Sequence, residues 1–214
     1  MLRREGWRAG RNQVYRLYRL EGLQVRMRVR RRKRISLHRG PAPAPTSVNQ
    51  SWSMDFVHDQ LLNGRKFRVL TVIAKWSRES VLLETSFSLT GQSVVEALKL
   101  LCGTRSMPQT ITIEHGSEFT SKAFDEWAWS CGIKLDFTRP GKPTDNSFIE
   151  SFNGRLRDEC LNVNEFLTID DARARIEAWR QDYNQHRPHG SLGNLTPSEF
   201  AIRGREMARE VTEL

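Results

Sequence analysis

The chain of 214 residues is 38% hydrophobic and 28% charged, the composition of a soluble globular protein with room for one domain and an appendage. Its longest apolar stretches, for example residues 69–74, are far shorter than the roughly 20 residues that span a bilayer. Arginines interrupt the first residues, so no signal peptide is expected. These features argue against a membrane protein.

Positive charge is concentrated in the first part of the chain. The net charge is +9, but residues 1–46 contain 14 Lys and Arg against two acidic residues, which gives this segment +12 and leaves −3 for the rest. A segment this basic binds polyanions by releasing their counterions, and DNA or RNA is the obvious partner.

The three cysteines, Cys102, Cys131 and Cys160, are odd in number and form no C-x-x-C pair. A zinc site or a disulfide framework is therefore not expected, and a reducing cytosol fits. We expect all three to act as small apolar packing residues.

In chain order, residues 1–39 come first, with a predicted helix at about residues 11–20 and Gly22 suited to its end. A dense basic run follows, comprising Arg30, Arg31, Arg32, Lys33 and Arg34. Such a run predicts contacts with DNA phosphates, which position a protein without reading sequence. The proline-rich residues 40–50 predict an extended linker.

The rest of the chain alternates between strand and helix signals. Strands are predicted at residues 52–57, 67–74, 80–85, 110–113 and 133–137, with an Asn63-Gly64 hairpin turn after the first. Helices are predicted to start at Thr90, at Thr120 or Ser121, at Asp145 or Asn146 (as far as about Cys160), and at about residue 169 for a last helix ending near residue 184. Tryptophans on these helices, Trp127, Trp129 and Trp179, are expected to pack in the core.

This order predicts an α/β fold in which one mixed five-stranded sheet has helices on both faces, the ribonuclease-H-like layout. The predicted core covers residues 51–205 and is followed by a tail, residues 206–214.

Three carboxylates occupy positions where catalysis on phosphate would need them. Asp55 lies in an apolar strand, where an isolated charge is costly unless it is paired or binds metal. Glu114 ends the fourth strand, and Glu150 lies on a helix with Asn146 four residues before it on the same face. Arg157 is two turns further on. Cleavage of a phosphodiester needs divalent metal held by a few carboxylates, which these residues would supply.

Glu114 and Glu150 are separated by 35 residues, and this spacing resembles the D,D-35-E signature of retroviral integrases and many transposases. The sequence motifs around these residues resemble, more specifically, those of the second-frame (OrfB) transposases of the IS3 family of bacterial insertion sequences. The matching stretches are residues 52–56, 76–79, 115–119, 139–143, 146–162, 183–184, 187–189, 192–193 and 196–200.

The resemblance implies that Asp55, Glu114 and Glu150 are metal ligands for Mg²⁺ or Mn²⁺, with two ions, and that the chain cuts a DNA strand and transfers its 3′-hydroxyl. It implies DNA partners (element ends and target), a homo-oligomer on DNA, an upstream-frame (OrfA) product as a further partner, no membrane, and a cytoplasmic location on the bacterial nucleoid. His115 and Asn146 would support the site, although a turn or a helix cap explains each equally well. Lys142 and Arg157, with Arg155 less favoured, would contact phosphate.

The sequence departs from the family pattern at two places. The family carries Asp where this chain has Glu114, and one extra methylene moves a carboxylate by about 1.5 Å. The family also has a longer helix-turn-helix ahead of the segment at residues 1–39, so a truncated DNA-binding element is expected here. It would reflect either a truncated copy or a start codon downstream of a frameshift.

Two alternatives to an active transposase follow. One is a DNA-binding remnant impaired by Glu114, and the other is a nuclease of the same fold acting on RNA–DNA hybrids. Glu118 is expected to form a cap or a local ion pair and not to bind metal. The Arg187-Pro188-His189 segment fits a structural turn and a DNA contact equally well.

Overall fold

A computed structural model describes residues 5–6, 10–23, 45–138 and 146–212, with side chains as far as residue 207. The chain divides into two compact units, residues 1–41 and 42–214. In the first unit, helix α1 (Arg11–Leu20) has no buried side chain, and Gly22 follows it with a φ of +66°, the left-handed conformation that ends many helices. The predicted bounds of this helix and its glycine stop are therefore confirmed. The basic run at residues 30–34 and residues 40–44 of the predicted linker lie outside the described residues.

The second unit is built on one five-stranded mixed sheet of order β3-β2-β1-β4-β5. Its strands are β1 (Ser51–Gln60), β2 (Lys66–Ala74), β3 (Ser80–Ser86), β4 (Thr110–Ile113) and β5 (Lys134–Phe137). Strands β1 to β3 pair antiparallel, whereas β4 lies parallel to β1 and to β5. A tight turn at Gly64, with a φ of +80°, joins the first two strands. The predicted fold class and the predicted succession of strands and helices along the chain are confirmed.

One face of the sheet is covered by α2 (Gly91–Cys102) and α3 (Lys122–Ser130). Thr90 and Ser121 cap these helices by accepting hydrogen bonds from the backbone N–H of Ser93 and Phe124. The core on this face is large and apolar; its fully buried members include Trp52, Met54, Leu70, Val94, Leu98, Ile111 and Phe124. Even-numbered residues of β1 point to this face because side chains alternate along a strand.

The opposite face is covered by α4 (Ser147–Leu156), a π-helical turn (Arg157–Leu161) and α5 (Ile169–Gln185). Val57 of β1 belongs to this second core, so the odd-numbered residues of β1, including Asp55, face these helices. The sequence predicts one regular helix to about residue 160, and the structure instead widens its last turn. This turn directs Cys160 and Leu161 into the core.

A sixth helix, α6 (Pro197–Thr212), was not predicted. It starts with a capping box, in which the Thr196 hydroxyl accepts from the Glu199 N–H and the Glu199 carboxylate accepts from the Thr196 N–H, with Pro197 in the first turn. Because α6 continues to residue 212, the boundary expected at residue 205 falls inside a helix. Trp76 packs against Phe200 and leaves no room for a side chain at Gly204.

Three local predictions are wrong. Trp129 is 86% exposed and Cys131 is also exposed, because both lie on the outer side of α3 and at its end. Residues 46–50 form a turn instead of an extended linker, since the Gln50 side chain accepts hydrogen bonds from two backbone N–H groups of that turn. This turn then pairs with the start of β4.

The outer edge of β3 is covered by side chains of α5. The Asn184 amide accepts from the Ser80 N–H and donates to the Ser80 carbonyl, and it is buried. Arg180 also donates to the Ser80 carbonyl, and Arg173 donates to that of Thr85. None of the described helices combines the length and apolarity that a membrane span requires.

Candidate active site

Asp55 and Glu114 are neighbours on adjacent strands. Strands β1 and β4 pair in parallel up to Ser53 and Thr112, and each carboxylate stands two residues beyond that pair. Residues at matching positions of parallel strands project from the same face, so both carboxylates lie towards α4. Asp55 is half-buried within β1, whereas Glu114 is exposed where β4 ends.

Helix α4 brings the third carboxylate to the same place. The Asn153 side-chain amide donates to Asp55 Oδ2 at 2.8 Å, which fixes this turn of the helix against β1. Glu150 lies three residues before Asn153 and is half-buried on the same face. The second oxygen of Asp55 accepts from the Phe56 N–H at 2.7 Å.

The charges of Glu114 and Glu150 both act on Asp55. Burial, together with the negative charges of Glu114 and Glu150, raises the pKa of Asp55 from 3.8 to about 6. The Phe56 N–H and the Asn153 amide act in the opposite direction because they stabilise the charged form. The sequence-based expectation that these distant residues meet is consistent with this arrangement.

The three carboxylates do not form a closed metal-binding site in this structure. Within residues 45–138 and 146–207, no three His, Cys, Asp or Glu side chains stand close enough together to hold one metal ion. Glu114 is exposed and follows a strand end, so its side chain has room to move towards Asp55. The arrangement offers hard oxygen donors on one open side, which suits a cation that must also meet a phosphate.

Residues next to Glu114 are engaged in local packing. The His115 ring lies 5.0 Å from that of Phe137 and is exposed. Glu118 forms an ion pair with Arg68, whose guanidinium also stacks on Phe56. The hydrogen bond from Arg68 lowers the pKa of Glu118. Glu118 thus forms an ion pair, as expected, although its partner is distant in sequence.

The other predicted site residues are dispersed. Asn146 precedes α4 and is buried, but its side chain makes no capping bond, and neither amide atom has a partner among the described residues. Arg157 is exposed in the π-helical turn and donates to the His58 carbonyl at 3.2 Å. Lys142 and residues 30–34 lie outside the described part of the chain.

Sequence reasoning missed Asn153. Its signal is present, because asparagine is a poor residue for a helix interior and Asn153 shares a face with Asn146 and Glu150. A polar side chain placed there against helical propensity indicates a partner, and the structure identifies this partner as Asp55.

Comparison with known proteins identifies the family. Residues 45–143 and residues 131–197 match two family descriptions that both read integrase core domain. The chain is 45% identical over 97% of its length to the 31.7 kDa protein of insertion element IS407 from Burkholderia multivorans, of which it covers 75%. It is 42% identical to the 39.2 kDa protein of IS476 from Xanthomonas euvesicatoria (96% of this chain and 59% of that protein). With the transposase InsK of IS150 from Escherichia coli it shares 27% identity, over 93% of this chain and 74% of that protein.

Solved structures match the fold. The HTLV-2 integrase catalytic core domain in complex with magnesium superposes with a TM-score of 0.58 at 19% identity, over 72% of this chain and 97% of that one. The catalytic core domain of BIV integrase gives 0.55 at 17% identity, over 75% of this chain and 99% of that one. The second unit therefore has the ribonuclease-H-like fold of retroviral integrase cores.

The integrase core matches, together with the integrase-like fold, define a polynucleotidyl transferase core of the DDE class. The chain belongs to the integrase core family, in the group of IS3-type transposases that bacterial insertion elements encode. It is a DNA transposase catalytic core, and an impaired remnant is not the better explanation.

Proposed function

We propose that Asp55, Glu114 and Glu150 hold divalent metal, magnesium or manganese, for hydrolysis of a DNA strand followed by attack of the freed 3′-hydroxyl on a second phosphodiester. The observation that carries this proposal is the half-buried Asp55, whose pKa is raised to about 6 with contributions from the two other carboxylates. Like charges gathered in this way are relieved by a bound cation. Carboxylate oxygens are also the donors that magnesium prefers.

Bound metal would polarise the phosphoryl group and activate the attacking water or hydroxyl; the family chemistry uses two ions. The residues of this chain would hold and orient that metal. Asn153 and the Phe56 N–H each occupy one oxygen of Asp55 and so set the direction of its remaining lone pairs. Glu150 reaches the same face from α4, and Glu114 supplies a longer, exposed side chain in place of aspartate.

The substrate class follows from the family and from charge. We propose that the DNA ends of an insertion element and a target DNA are the partners, that several copies assemble on DNA, and that an upstream-frame product is a further partner. The structure of a related intasome, from simian T-cell lymphotropic virus, has a TM-score of 0.62 at 19% identity over 78% of this chain and 57% of that one. Residues 30–34 and Lys142 remain predicted phosphate contacts, as does the exposed Arg157.

Substitution of the carboxylates tests this function. Asp55→Asn and Glu150→Gln are each expected to reduce magnesium-dependent strand cleavage by more than about 100-fold, since removing even a residue that only supports a metal ligand costs 10–100-fold. Glu114→Gln should behave alike, and Glu114→Asp should retain cleavage. Glu165→Gln, an exposed glutamate away from the site, is the matched control.

Two results would decide for the alternatives. A gain of more than about tenfold in Glu114→Asp over wild type would favour the impaired remnant, because the added methylene would then be the defect. Cleavage of RNA–DNA hybrids but not of duplex DNA, abolished by Asp55→Asn, would favour the nuclease.

A further inference from the structure

Among the arginines of the second unit whose side chains the structure describes, six are half-buried. Four of these form ion pairs with carboxylates: Arg68 with Glu118, Arg105 with Glu79, Arg180 with Glu177 and Arg187 with Glu159. Arg78 and Arg155 differ, because neither pairs with a carboxylate among the described residues. A guanidinium withdrawn from water without a counter-charge is costly. The two exceptions therefore need an explanation.

Both exceptions border one cavity of about 200 Å³. Its lining also includes Phe148, Ser151, Tyr183, His189 and Ser191. The Arg78 guanidinium stacks on the Phe148 ring at 3.8 Å and donates to the Lys75 carbonyl, which holds it in place. Arg78 itself has a φ of +60°, a conformation that a non-glycine residue adopts only at a cost, so its placement is maintained by the surrounding contacts.

Arg155 approaches the cavity from α4. Its Nη1 lies 3.5 Å from His189 Nδ1, and its charge lowers the pKa of the neighbouring Tyr183 hydroxyl against the effect of burial. His189 and Tyr183 are both buried. Because an arginine only donates, His189 accepts at Nδ1 and is neutral, with its proton on Nε2.

The potential in this cavity is positive. Burial, together with the charges of Arg155, Arg187 and Arg78, lowers the pKa of His189 to about 4, against an opposing effect of Glu159. The histidine therefore adds no charge of its own at neutral pH. The surplus charge of the cavity is that of Arg78 and Arg155, because Arg187 is already neutralised by Glu159.

The geometry points to a site for one backbone phosphate of the DNA substrate, held between the guanidinium groups of Arg78 and Arg155. A planar guanidinium binds phosphate oxygens through two parallel N–H donors, and two of them can share one phosphodiester. The volume is below the roughly 300–1,000 Å³ of ordinary small-molecule pockets, so it suits a phosphate and not a whole nucleotide. Ser151 and Ser191 are exposed at its rim.

The location links this arginine pocket, by which we mean the cavity with Arg78 and Arg155, to the carboxylates. Phe148, Ser151 and Arg155 lie on one flank of α4, at intervals of three and four residues, and Glu150 and Asn153 lie on the opposite flank. A DNA duplex that lies across α4 and meets the carboxylates on one flank can place another of its phosphates in the pocket on the other flank. This inference rests on the proposed function, since it takes the anion from the DNA on which the carboxylates act.

The test measures DNA binding by the full chain in EDTA, where strand cleavage does not interfere. Fluorescence anisotropy with a short duplex, over a series of KCl concentrations, gives the slope of log K against log salt, which changes by about 0.9 per phosphate contact. We expect Arg155→Gln to reduce affinity roughly tenfold and the slope by about one. Arg155→Lys should keep the slope while losing affinity, because the charge remains and the planar pair of donors is lost.

The double variant Arg78→Gln/Arg155→Gln separates a pocket from two independent contacts. If both guanidiniums share one phosphate, its slope falls by about one, as in the single variant. A fall of about two would overturn the pocket in favour of separate surface contacts. Arg205→Gln, an exposed arginine on α6, is the matched control, and a change in this control equal to that in Arg155→Gln would also overturn the inference.

Two further measurements keep the outcomes distinct. Circular dichroism and the melting temperature show whether each variant is folded. If Arg78→Gln does not fold, Arg155→Gln and Arg155→Lys still test the site. An unchanged salt slope and an unchanged affinity in both of these variants would reject it. Inorganic phosphate that competes with wild type but not with Arg155→Gln would support it. If Glu150→Gln still cleaved DNA strands at the wild-type rate, the proposed function would be wrong, whereas the salt slopes of DNA binding would be unaffected.

Discussion

Asp55 is the residue at which the folding and the chemistry of this protein conflict. The apolar strand that surrounds it favours the neutral acid, whereas binding a cation requires the carboxylate. The Phe56 N–H and the Asn153 amide partly offset the desolvation, and two neighbouring carboxylates add to it. A metal ion would resolve this conflict by supplying the opposite charge.

This conflict predicts the pH dependence of the metal-free protein. Since the pKa of Asp55 is about 6 in the folded chain and 3.8 as the unperturbed value, the folded state holds more protons between these values. The free energy of unfolding should therefore fall as pH rises through this window, by on the order of 2 kcal/mol. Urea unfolding in EDTA at a series of pH values measures the change.

The comparison with Asp55→Asn isolates this residue, because His189 acts in the opposite direction. Its lowered pKa, about 4 against 6.5, removes stability as pH falls from 6.5 towards 4, and Arg78, Arg155, Arg187 and Glu159 are the charged groups around it. The variant retains His189 and lacks the contribution of Asp55. Identical pH profiles for wild type and variant would refute the assignment.

Asn153 should matter for metal binding although it is not a metal ligand. Asn153→Ala removes the bond to Asp55 Oδ2, and loss of such a supporting partner typically weakens metal affinity 10–100-fold. The pH midpoint of manganese binding, measured by calorimetry, should also rise, because the amide lowers the pKa of Asp55. Asn164→Ala, which breaks a bond to the Cys160 carbonyl elsewhere, is the control and should change neither. An unshifted midpoint would show that Asn153 acts only in packing.

At the scale of single residues the sequence predicts the three carboxylates as the site, because their positions at strand ends, their spacing and the resemblance to the family motifs all point to them. It could not identify the arginine pocket, since Arg78 and Arg155 stand 77 positions apart and meet only through the packing of α4 on the sheet. Asn153 is an intermediate case. Its low helix propensity indicates that the side chain has a polar partner, but the sequence does not show that this partner is Asp55.

Helices that begin at a recognisable N-cap residue were predictable, whereas helical features that depend on tertiary packing were not. The N-cap residues Thr90 and Ser121 predict the starts of α2 and α3 by their type and position. The Thr196–Glu199 capping box gives the same signal for α6 and was overlooked. The π-helical turn has no local signal, because it follows from fitting Cys160 and Leu161 into the core.

Gly91 sets how closely α2 approaches the start of α3. A Cβ at this position would lie 1.9 Å from the Ser121 hydroxyl oxygen and 2.9 Å from the Glu118 carbonyl oxygen. Gly91→Ala should therefore destabilise the protein by about 1–3 kcal/mol. Gly154→Ala, in α4 with open space around it, should instead stabilise by about 0.5–1 kcal/mol through helix propensity. Urea unfolding measures both, and equal effects would contradict the close approach.

For the whole molecule, the alternation of strand and helix signals was sufficient to predict the sheet and both helical layers. The limits of the second unit were less predictable, since residues 46–50 join it through turn hydrogen bonds and α6 extends it to residue 212. These features depend on contacts with distant parts of the chain, of which composition gives no sign.

The division into two units predicts that stability and general DNA affinity can be separated. Deleting residues 1–44 should leave the melting temperature of the second unit unchanged, because the described members of its core clusters all lie between Trp52 and Tyr183. The same deletion should reduce the salt slope of DNA binding by several units, about 0.9 for each lost phosphate contact. The double substitution Arg31→Gln/Arg32→Gln, in the full chain, should decrease the salt slope of DNA binding by about two. A lowered melting temperature would show that the segment supports the core.

The covered edge of β3 limits how copies of this chain can meet. A bare outer strand would accept a strand from another molecule and extend the sheet without end. Here Asn184, Arg180 and Arg173 already occupy the outward backbone groups at Ser80 and Thr85, and the opposite border, β5, is only four residues long and carries Lys134 and Asp136. Extension of the sheet by strand pairing between copies is thereby opposed at both borders of the sheet.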